Sequence, residues 1–511
     1  MDLIDCYAKD YPIENKIRRL DKLVSQECFD PKISKVISRC PGRISLSKHA
    51  DYINSDLLYV LDDRDLFAAV QLIEDPSHKF YGSLILKNSD ENFPDRELDL
   101  KTLNFDNLDK NHWSFYVLKL LQELNLGNRL RECGLVIAVD SEIPVGGGLS
   151  SSHALLLSCL LALTKVFHLN SYIEILESRY DIEHANKEAL LEILKLCQRI
   201  EAAKGFNSGL GDQSAQLLSK KGHFTFIKIF PELNVCYKAI PDDIAIISAP
   251  TFIKAEKSLP EFRAANENIA LYKTINELIN HLNTGSLSGK LPDARLARRE
   301  GAELTSVNER VKDECNAADG TLRTGSKYLA DLIYSKDEKE IFQFLENIED
   351  RKVRGLALYG LAEAKRVSNL KQELNLLALG KHLNLSHQAE LNFNYDPEKQ
   401  SLKAFSEGDK LNYIFDPSKP LAEHCGSYRA GTATNDELHY LANTIHGVLG
   451  CSISGAGLGG NNTIICQKDE AERVKAELIE SFYKPKGLEI RAQEALHISS
   501  SSAAAAILMS P

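Results

Sequence analysis

The sequence predicts an α+β protein of two lobes, and three observations carry that prediction. The chain has 511 residues, well above the size of one compact core. A stretch rich in β-branched residues, Gly134-Leu-Val-Ile-Ala-Val-Asp140, leads through a glycine loop into the apolar run Ala154 to Leu163, a strand followed by a buried helix. Towards the C-terminus strand patterns flank helical ones, which suggests a lobe of the split βαβ kind. Composition is that of a globular protein, 43% hydrophobic and 26% charged. No apolar run reaches the about 18 residues that could span a bilayer. The net charge of −11, without a long basic block, argues against a nucleic-acid or membrane-surface partner. The charged N-terminus lacks the apolar centre of a secretory signal. The 11 cysteines stand singly, with no CxxC pair, and read as the reduced thiols of a cytoplasmic protein.

Residues 1–34 alternate charge and hydrophobicity at helical spacing and are expected to wrap the outside. A short strand at 35–39 leads into Cys40-Pro-Gly-Arg43-Ile-Ser-Leu-Ser-Lys48-His49-Ala-Asp51-Tyr52, a turn between strands that gathers cations, a histidine and a carboxylate. On these residues alone the turn is either a binding element or a surface hairpin with a salt bridge. Strands are expected at 66–74, 79–87 and 95–103. The helix at 111–126 holds the only tryptophan, Trp113, in an aromatic cluster that reads as core.

The glycine loop follows as Pro144-Val-Gly146-Gly147-Gly148-Leu-Ser150-Ser151-Ser152-His153. Glycines let the backbone approach a phosphate, and the unpaired N–H groups of the first helical turn point at it. The serines add hydroxyl donors and possible magnesium ligands. The alternative is a plain turn whose serines cap the helix. A long helix at 172–204 ends at Gly205. It carries Glu201 near its C-terminus, where the dipole disfavours a carboxylate, so Glu201 either has a cation partner or lies in solvent. Gly209 and Gly211 thin out the side chains before Asp212, which opens the next helix. Strands at 223–229 and 243–248, a helical stretch at 260–379, a polar segment at 392–415 and a helix at 436–449 come next. The third glycine cluster, at 452–462, precedes a strand at 463–467, a helix at 470–483 and a strand at 488–493. The Ser- and Ala-rich tail is assigned no structure.

Three segments in order, PGRISLSKHADY, PVGGGLSSSHAL and SGAGLGG, resemble the motifs of the GHMP small-molecule kinases. Within that superfamily the chain looks most like the galactokinase family. The likeness covers roughly 35–250 and 410–470. It implies a ribosomal-protein-like α+β lobe at 35–240, after an extension at 1–34. A ferredoxin-like lobe at 241–500 would follow, with a helical expansion at about 260–410 and a tail at 501–511. The implied activity is transfer of the γ-phosphate of ATP to the anomeric hydroxyl of a hexose, most simply galactose. The alternatives are a uronic acid or arabinose as substrate, or a catalytically idle sugar sensor.

Carried over by position, the resemblance implies Asp212 as catalytic base and Arg43 as its partner. Gly146, Gly147, Gly148, Ser150, Ser151, Ser152 and Trp113 would hold ATP. Lys48, His49, Asp51, Gly209 and Asp212 would hold the sugar. Ser152 and Glu201 would be ligands of Mg2+. The chain departs from the family pattern in four places. Lys48 replaces a glutamate in a turn one residue short, Ser45 replaces an asparagine, and Ser208 replaces a cysteine. A tyrosine expected near 258–263 is replaced by Leu259 or displaced. An ammonium at position 48 suits a carboxylated sugar, unless Lys48 swings out to solvent. His153, in the first turn of the helix, could hinder phosphate entry.

Overall fold

The computed structural model describes residues 1–205, 208–253, 267–276, 279, 328–399, 401–406, 408, 413–455, 457 and 459–508. Leu259 and much of the expected helical expansion, 280–327 in particular, lie outside the described residues.

The first lobe is built on β1 (Val36–Ser45), β2 (Leu57–Ile73), β3 (Ser83–Asn88), β4 (Arg96–Asp99), β5 (Gly134–Ser141), β6 (His223–Lys228) and β7 (Asn234–Ala239). β2 organises the sheet. Tyr59 to Val70 pair with β1, the first residues pair with β6, and Leu66 to Ile73 pair with β5. β3 runs parallel to β5, and the other pairings are antiparallel. Both faces of β2 are covered, which explains why nearly all of its residues are buried without a clean alternation.

The helices that frame this lobe are α1 (Glu14–Val24), α2 (Ser114–Glu123), α3 (Ser151–Val166), α4 (Lys187–Lys204) and α5 (Gly211–Leu218). α3 lies on one face of the sheet, with α2, α4 and α5 beside it, and is apolar on nearly every side, as a helix enclosed all round must be. The N-terminal segment covers the other face, where Cys6, Tyr7, Leu20 and Leu23 pack on Ile37, Phe67, Ala69 and Val136. It is tied there by charge. Asp65 of β2 is fully buried and pairs with Arg39 at 2.8 Å, Arg19 at 2.9 Å and Lys16 at 3.3 Å. Burial alone would raise its carboxyl pKa. The three cations outweigh burial and hold it well below the usual carboxylate range.

The second lobe carries a four-stranded antiparallel sheet and a helical layer. Its strands are β8 (Ile244–Pro250), β11 (Val448–Ile453), β12 (Asn461–Gln467) and β13 (His497–Ser499), in the order β11-β12-β8-β13, and a separate hairpin joins β9 (Phe393–Asp396) to β10 (Ser401–Ala404). α6 (Arg351–Gln372) and α7 (Leu376–Glu390) form the helical layer, whose core takes in Ile53 from the first lobe. α8 (Ala433–Thr444), α9 (Ala471–Leu478) and α10 (Glu489–Ala495) complete the lobe.

Four expectations need correction. Residues 488–493 are not a strand. The alternation of Leu488, Ile490 and Ala492 imitates one, but Gly487 has turned the chain at φ 67 and the residues that follow are good helix formers, so α10 results. The expected helix at 172–204 is interrupted between Arg179 and Asn186. The helix expected at 436–449 stops at Thr444, and β11 begins at Val448. The tail is also structured: β13 joins the second sheet, and β14 (Ala506–Leu508) pairs with β1 on the edge of the first. Between them Ser499 and Ser500 bond the carboxylates of Asp62 and Asp63, both at 2.9 Å. The final residues thus bridge the two lobes.

Candidate active site

β1 is the spine of the site. Its pairing with β2 is irregular between Pro41 and Arg43, and the irregularity delivers Arg43 to the seam between the lobes. The Arg43 backbone N–H bonds the Leu149 carbonyl at 3.1 Å, and one guanidinium nitrogen bonds the Gly148 carbonyl. The strand and the glycine loop are therefore locked together.

The same guanidinium grips Asp212 on two atoms, Nε to Oδ1 at 2.7 Å and Nη2 to Oδ2 at 2.6 Å. This fork-to-carboxylate geometry is the strongest an arginine offers. Arg43 is 5% exposed as a side chain and Asp212 is 30% exposed, so the pair is sheltered on one side and reachable on the other. Burial would raise the Asp212 pKa, but the charge and hydrogen bonds of Arg43 prevail and hold it at about 2. Asp212 also sits in the first turn of α5, where the helix dipole favours a negative charge. Gln216 of α5 bonds the Pro41 carbonyl at 2.8 Å and the Ser150 carbonyl at 3.0 Å, which fixes the helix against both strand and loop.

Asp51 approaches from the turn after β1. Its Oδ2 accepts the Gly211 N–H at 2.8 Å. A Cβ on Gly209 would lie 2.1 Å from that same oxygen, so only glycine lets the two segments meet. Burial and then the nearby Asp212 charge push the Asp51 pKa up.

The glycine loop is held against the third glycine cluster. Gly148 has φ +73, and a Cβ there would stand 2.5 Å from the Ser454 carbonyl oxygen. Ser454 Oγ bonds the Gly148 carbonyl at 3.1 Å. Gly146 stays exposed, and Gly147 and Ser150 to Ser152 are half-buried, so the backbone and hydroxyls at the start of α3 remain accessible to an anion. Ser150 is left-handed at φ 65. His153 is 2% exposed, with Nδ1 3.1 Å from Ser150 Oγ.

Glu201 is buried, not solvated, and its Oε1 has no hydrogen-bond partner among the described residues. Burial and then the Glu201 charge push the Tyr116 hydroxyl's pKa up while Ser152 opposes the rise, so the two expected metal ligands, from α4 and α3, both lie near that hydroxyl. An orphaned buried carboxylate oxygen beside a serine hydroxyl is a donor set suited to a hard cation. Trp113 is 7% exposed and its indole N–H is spent on the Pro94 carbonyl at 2.7 Å, so it can offer a nucleotide only its ring face.

Lys48 and His49 both turn inward. Lys48 is 2% exposed, which excludes the solvent-facing reading. His49 Nε2 lies 3.0 Å from Glu390 of α7, and its ring stacks on Tyr428 at 3.6 Å between centroids. Glu363, Glu390 and Tyr428 carry no mark in the sequence. Glu390 lies 341 residues from His49, and nothing local to α7 marks it.

Residues 114–220 match the model of the GHMP kinases N terminal domain. Galactokinase from Saccharomyces cerevisiae is 25% identical over 43% of this chain and 42% of its own length. The galactokinase of Schizosaccharomyces pombe is 25% identical over 54% of this chain and 55% of its length. These two matches thus span only about half of each relative. The Candida albicans galactokinase is 23% identical over 97% of this chain and 95% of its length. The crystal structure of Lactococcus lactis galactokinase complexed with galactose superposes with a TM-score of 0.65 at 19% identity, over 96% of this chain and all of that one. By sequence the chain therefore resembles the GHMP kinases and within them the galactokinases, and its fold is the α+β fold of that group.

Proposed function

We propose that the chain is an ATP-dependent sugar 1-kinase that phosphorylates the anomeric hydroxyl of a neutral hexose, with galactose as the first candidate. The observation that carries this reading is the bidentate Arg43–Asp212 pair, set under the glycine loop and 30% exposed on its carboxylate side. Likeness to galactokinases in sequence and fold supports the choice of sugar.

Phosphoryl transfer asks a protein for position, charge stabilisation and a group to receive the hydroxyl proton. Asp212 fills the last role. With its pKa held at about 2 it is ionised at neutral pH but only weakly basic. It therefore takes the proton late, as the oxygen–phosphorus bond forms, and the relative acidity of an anomeric hydroxyl makes that sufficient. Arg43 keeps Asp212 charged and offsets negative charge gathering at the reacting oxygen. Gly146 to Ser152 cradle the triphosphate, and Asp51, His49 and Gly209 orient the sugar. Ser152 and Glu201 would hold Mg2+, which neutralises phosphate charge when bound. Trp113 flanks the adenine by its ring face. The acidic chain, its singly placed thiols and the absence of a membrane-crossing helix among the described residues fit a cytoplasmic enzyme.

A coupled ADP-release assay over hexoses, pentoses and uronic acids tests the reading. Galactose-dependent turnover is expected. Sugar-dependent thermal stabilisation without turnover on any sugar would instead identify a sensor.

A further inference from the structure

His153 lies in the first turn of α3, the helix that the glycine loop opens, and is buried there. Its Nδ1 is 3.1 Å from Ser150 Oγ. A serine at a helix N-cap ordinarily spends its hydroxyl on a backbone N–H of the first turn. Ser150 does not: its backbone is left-handed at φ 65 and its side chain makes no capping hydrogen bond. The hydroxyl is left to His153, and the first-turn N–H groups are left to an anion. The Ser150 carbonyl accepts the Ala154 N–H at 3.1 Å and Gln216 Nε2 at 3.0 Å, so its backbone is fixed by both α3 and α5. Two residues before it, the Gly148 carbonyl receives Arg43, the partner of Asp212.

The other ring nitrogen, Nε2, is buried and has no hydrogen-bond partner among the described residues. A hydrogen on Nε2 would be a buried donor with nothing to receive it, a rarer orphan in proteins than an unpaired acceptor. The tautomer that leaves only a lone pair at Nε2 carries its hydrogen on Nδ1, where it donates to Ser150 Oγ. The Ser150 oxygen then accepts from the ring, and its own hydrogen is released for a second acceptor. Accepting one hydrogen bond also strengthens the hydroxyl as a donor of the next. Ser150 is half-buried, so its open side faces whatever the glycine loop receives.

We propose that His153 is a positioning residue for nucleotide binding: through Nδ1 it holds the Ser150 hydroxyl so that its hydrogen is donated to a phosphate oxygen in the glycine loop. This rests on the kinase reading above. Ser150 is the group that touches the nucleotide, and His153 acts only through it.

The test is calorimetric binding of ATP to the full chain without sugar, at one magnesium concentration, followed by kcat and KM. His153→Leu keeps an apolar volume and removes the donor. It is expected to raise the Kd for ATP about tenfold, as the loss of one charge-assisted hydrogen bond to phosphate would. His153→Asn sets an amide N–H near the place of Nδ1 and should stay within about threefold of wild type, whereas His153→Gln, whose amide lies nearer the place of Nε2, should behave as the leucine variant does. Ser150→Ala should match His153→Leu, and the double variant should bind no more weakly than either single one. The KM for sugar should not move. Where His153→Leu fails to melt cooperatively, His153→Gln takes its place in the cycle. An ATP Kd within about twofold of wild type in the leucine or glutamine variant would overturn the inference. Equal losses in the asparagine and leucine variants would overturn it too, since packing alone would then be at work, as would additive losses at positions 150 and 153. A fall in kcat at unchanged ATP affinity would assign the hydroxyl to Asp212 and contradict the phosphate contact. Wild type that binds no ATP fails the kinase reading and the inference together. Wild type that binds ATP beside variants that do not differ from it fails the inference alone.

Discussion

Replacing Arg43 by alanine removes the cation that keeps Asp212 charged while leaving the carboxylate in its sheltered place. The Asp212 pKa is held at about 2 against an ordinary value of 3.8. At 1.36 kcal/mol per unit, the difference corresponds to at most about 2.5 kcal/mol. Solvent reaches Asp212, which is 30% exposed, and reduces that figure to about 1–2 kcal/mol. The sign follows from the depressed pKa. The pair stabilises the fold at pH values above the unfolded pKa near 3.8 and loses that contribution as pH falls towards 2. Arg43→Ala should therefore be less stable than wild type in urea unfolding at pH 7, with the gap closing as pH falls from the variant's raised Asp212 pKa down to about 2. Burial without the guanidinium also lifts the Asp212 pKa above 3.8, so an acid limb absent from wild type should enter the kcat profile. Turnover at pH 7 should fall about 10²–10³-fold from lost charge stabilisation. Identical pH dependence of stability in the two proteins, with turnover within about threefold, would refute the reasoning.

Glu201→Gln and Ser152→Ala should each raise the magnesium concentration for half-maximal activity about tenfold, the loss of roughly 1.4 kcal/mol, with little change in the KM for sugar. A magnesium titration decides, and unchanged curves for both would place the metal elsewhere. Gly148→Ala introduces a Cβ 2.5 Å from the Ser454 carbonyl at a left-handed position, so a lower melting temperature and a raised KM for ATP are expected. Wild-type values for both would show that the seam can move aside. Ser499→Ala combined with Ser502→Ala removes hydrogen bonds to Asp62 and should cost about 1–3 kcal/mol in urea unfolding, since it leaves buried acceptors under-bonded. No change in stability would reduce the tail to a passive strand.

What was legible in the sequence was what local chemistry dictates. Gly148 and Gly209 stand where a side chain would collide with the Ser454 carbonyl or the Asp51 carboxylate, and the glycine clusters were visible as such. The unfavourable place of Glu201 at the end of α4 hinted at a cation before its buried, orphaned oxygen was seen. What stayed hidden depends on contacts distant in sequence. The tail looked like low complexity because its serines find Asp62 and Asp63 more than four hundred positions away, across 437 residues for Ser499 and Asp62. Glu390 was one charge among many on the helices of the expansion, and only folding brings it to His49. The helix at 489–495 was missed because three apolar residues at alternate positions serve an amphipathic turn as well as a strand.

The central claim is that Asp212, held by Arg43, receives the proton of an anomeric hydroxyl as phosphate arrives. Phosphorus NMR on the purified chain with MgATP and galactose tests it directly, run beside Asp212→Asn under the same conditions. Wild type should convert ATP and galactose into ADP and a galactose 1-phosphate signal. Asp212→Asn should keep nucleotide binding and lose about 10²–10⁴ in rate. Phosphate on another hydroxyl, or turnover by Asp212→Asn close to that of wild type, would contradict the account.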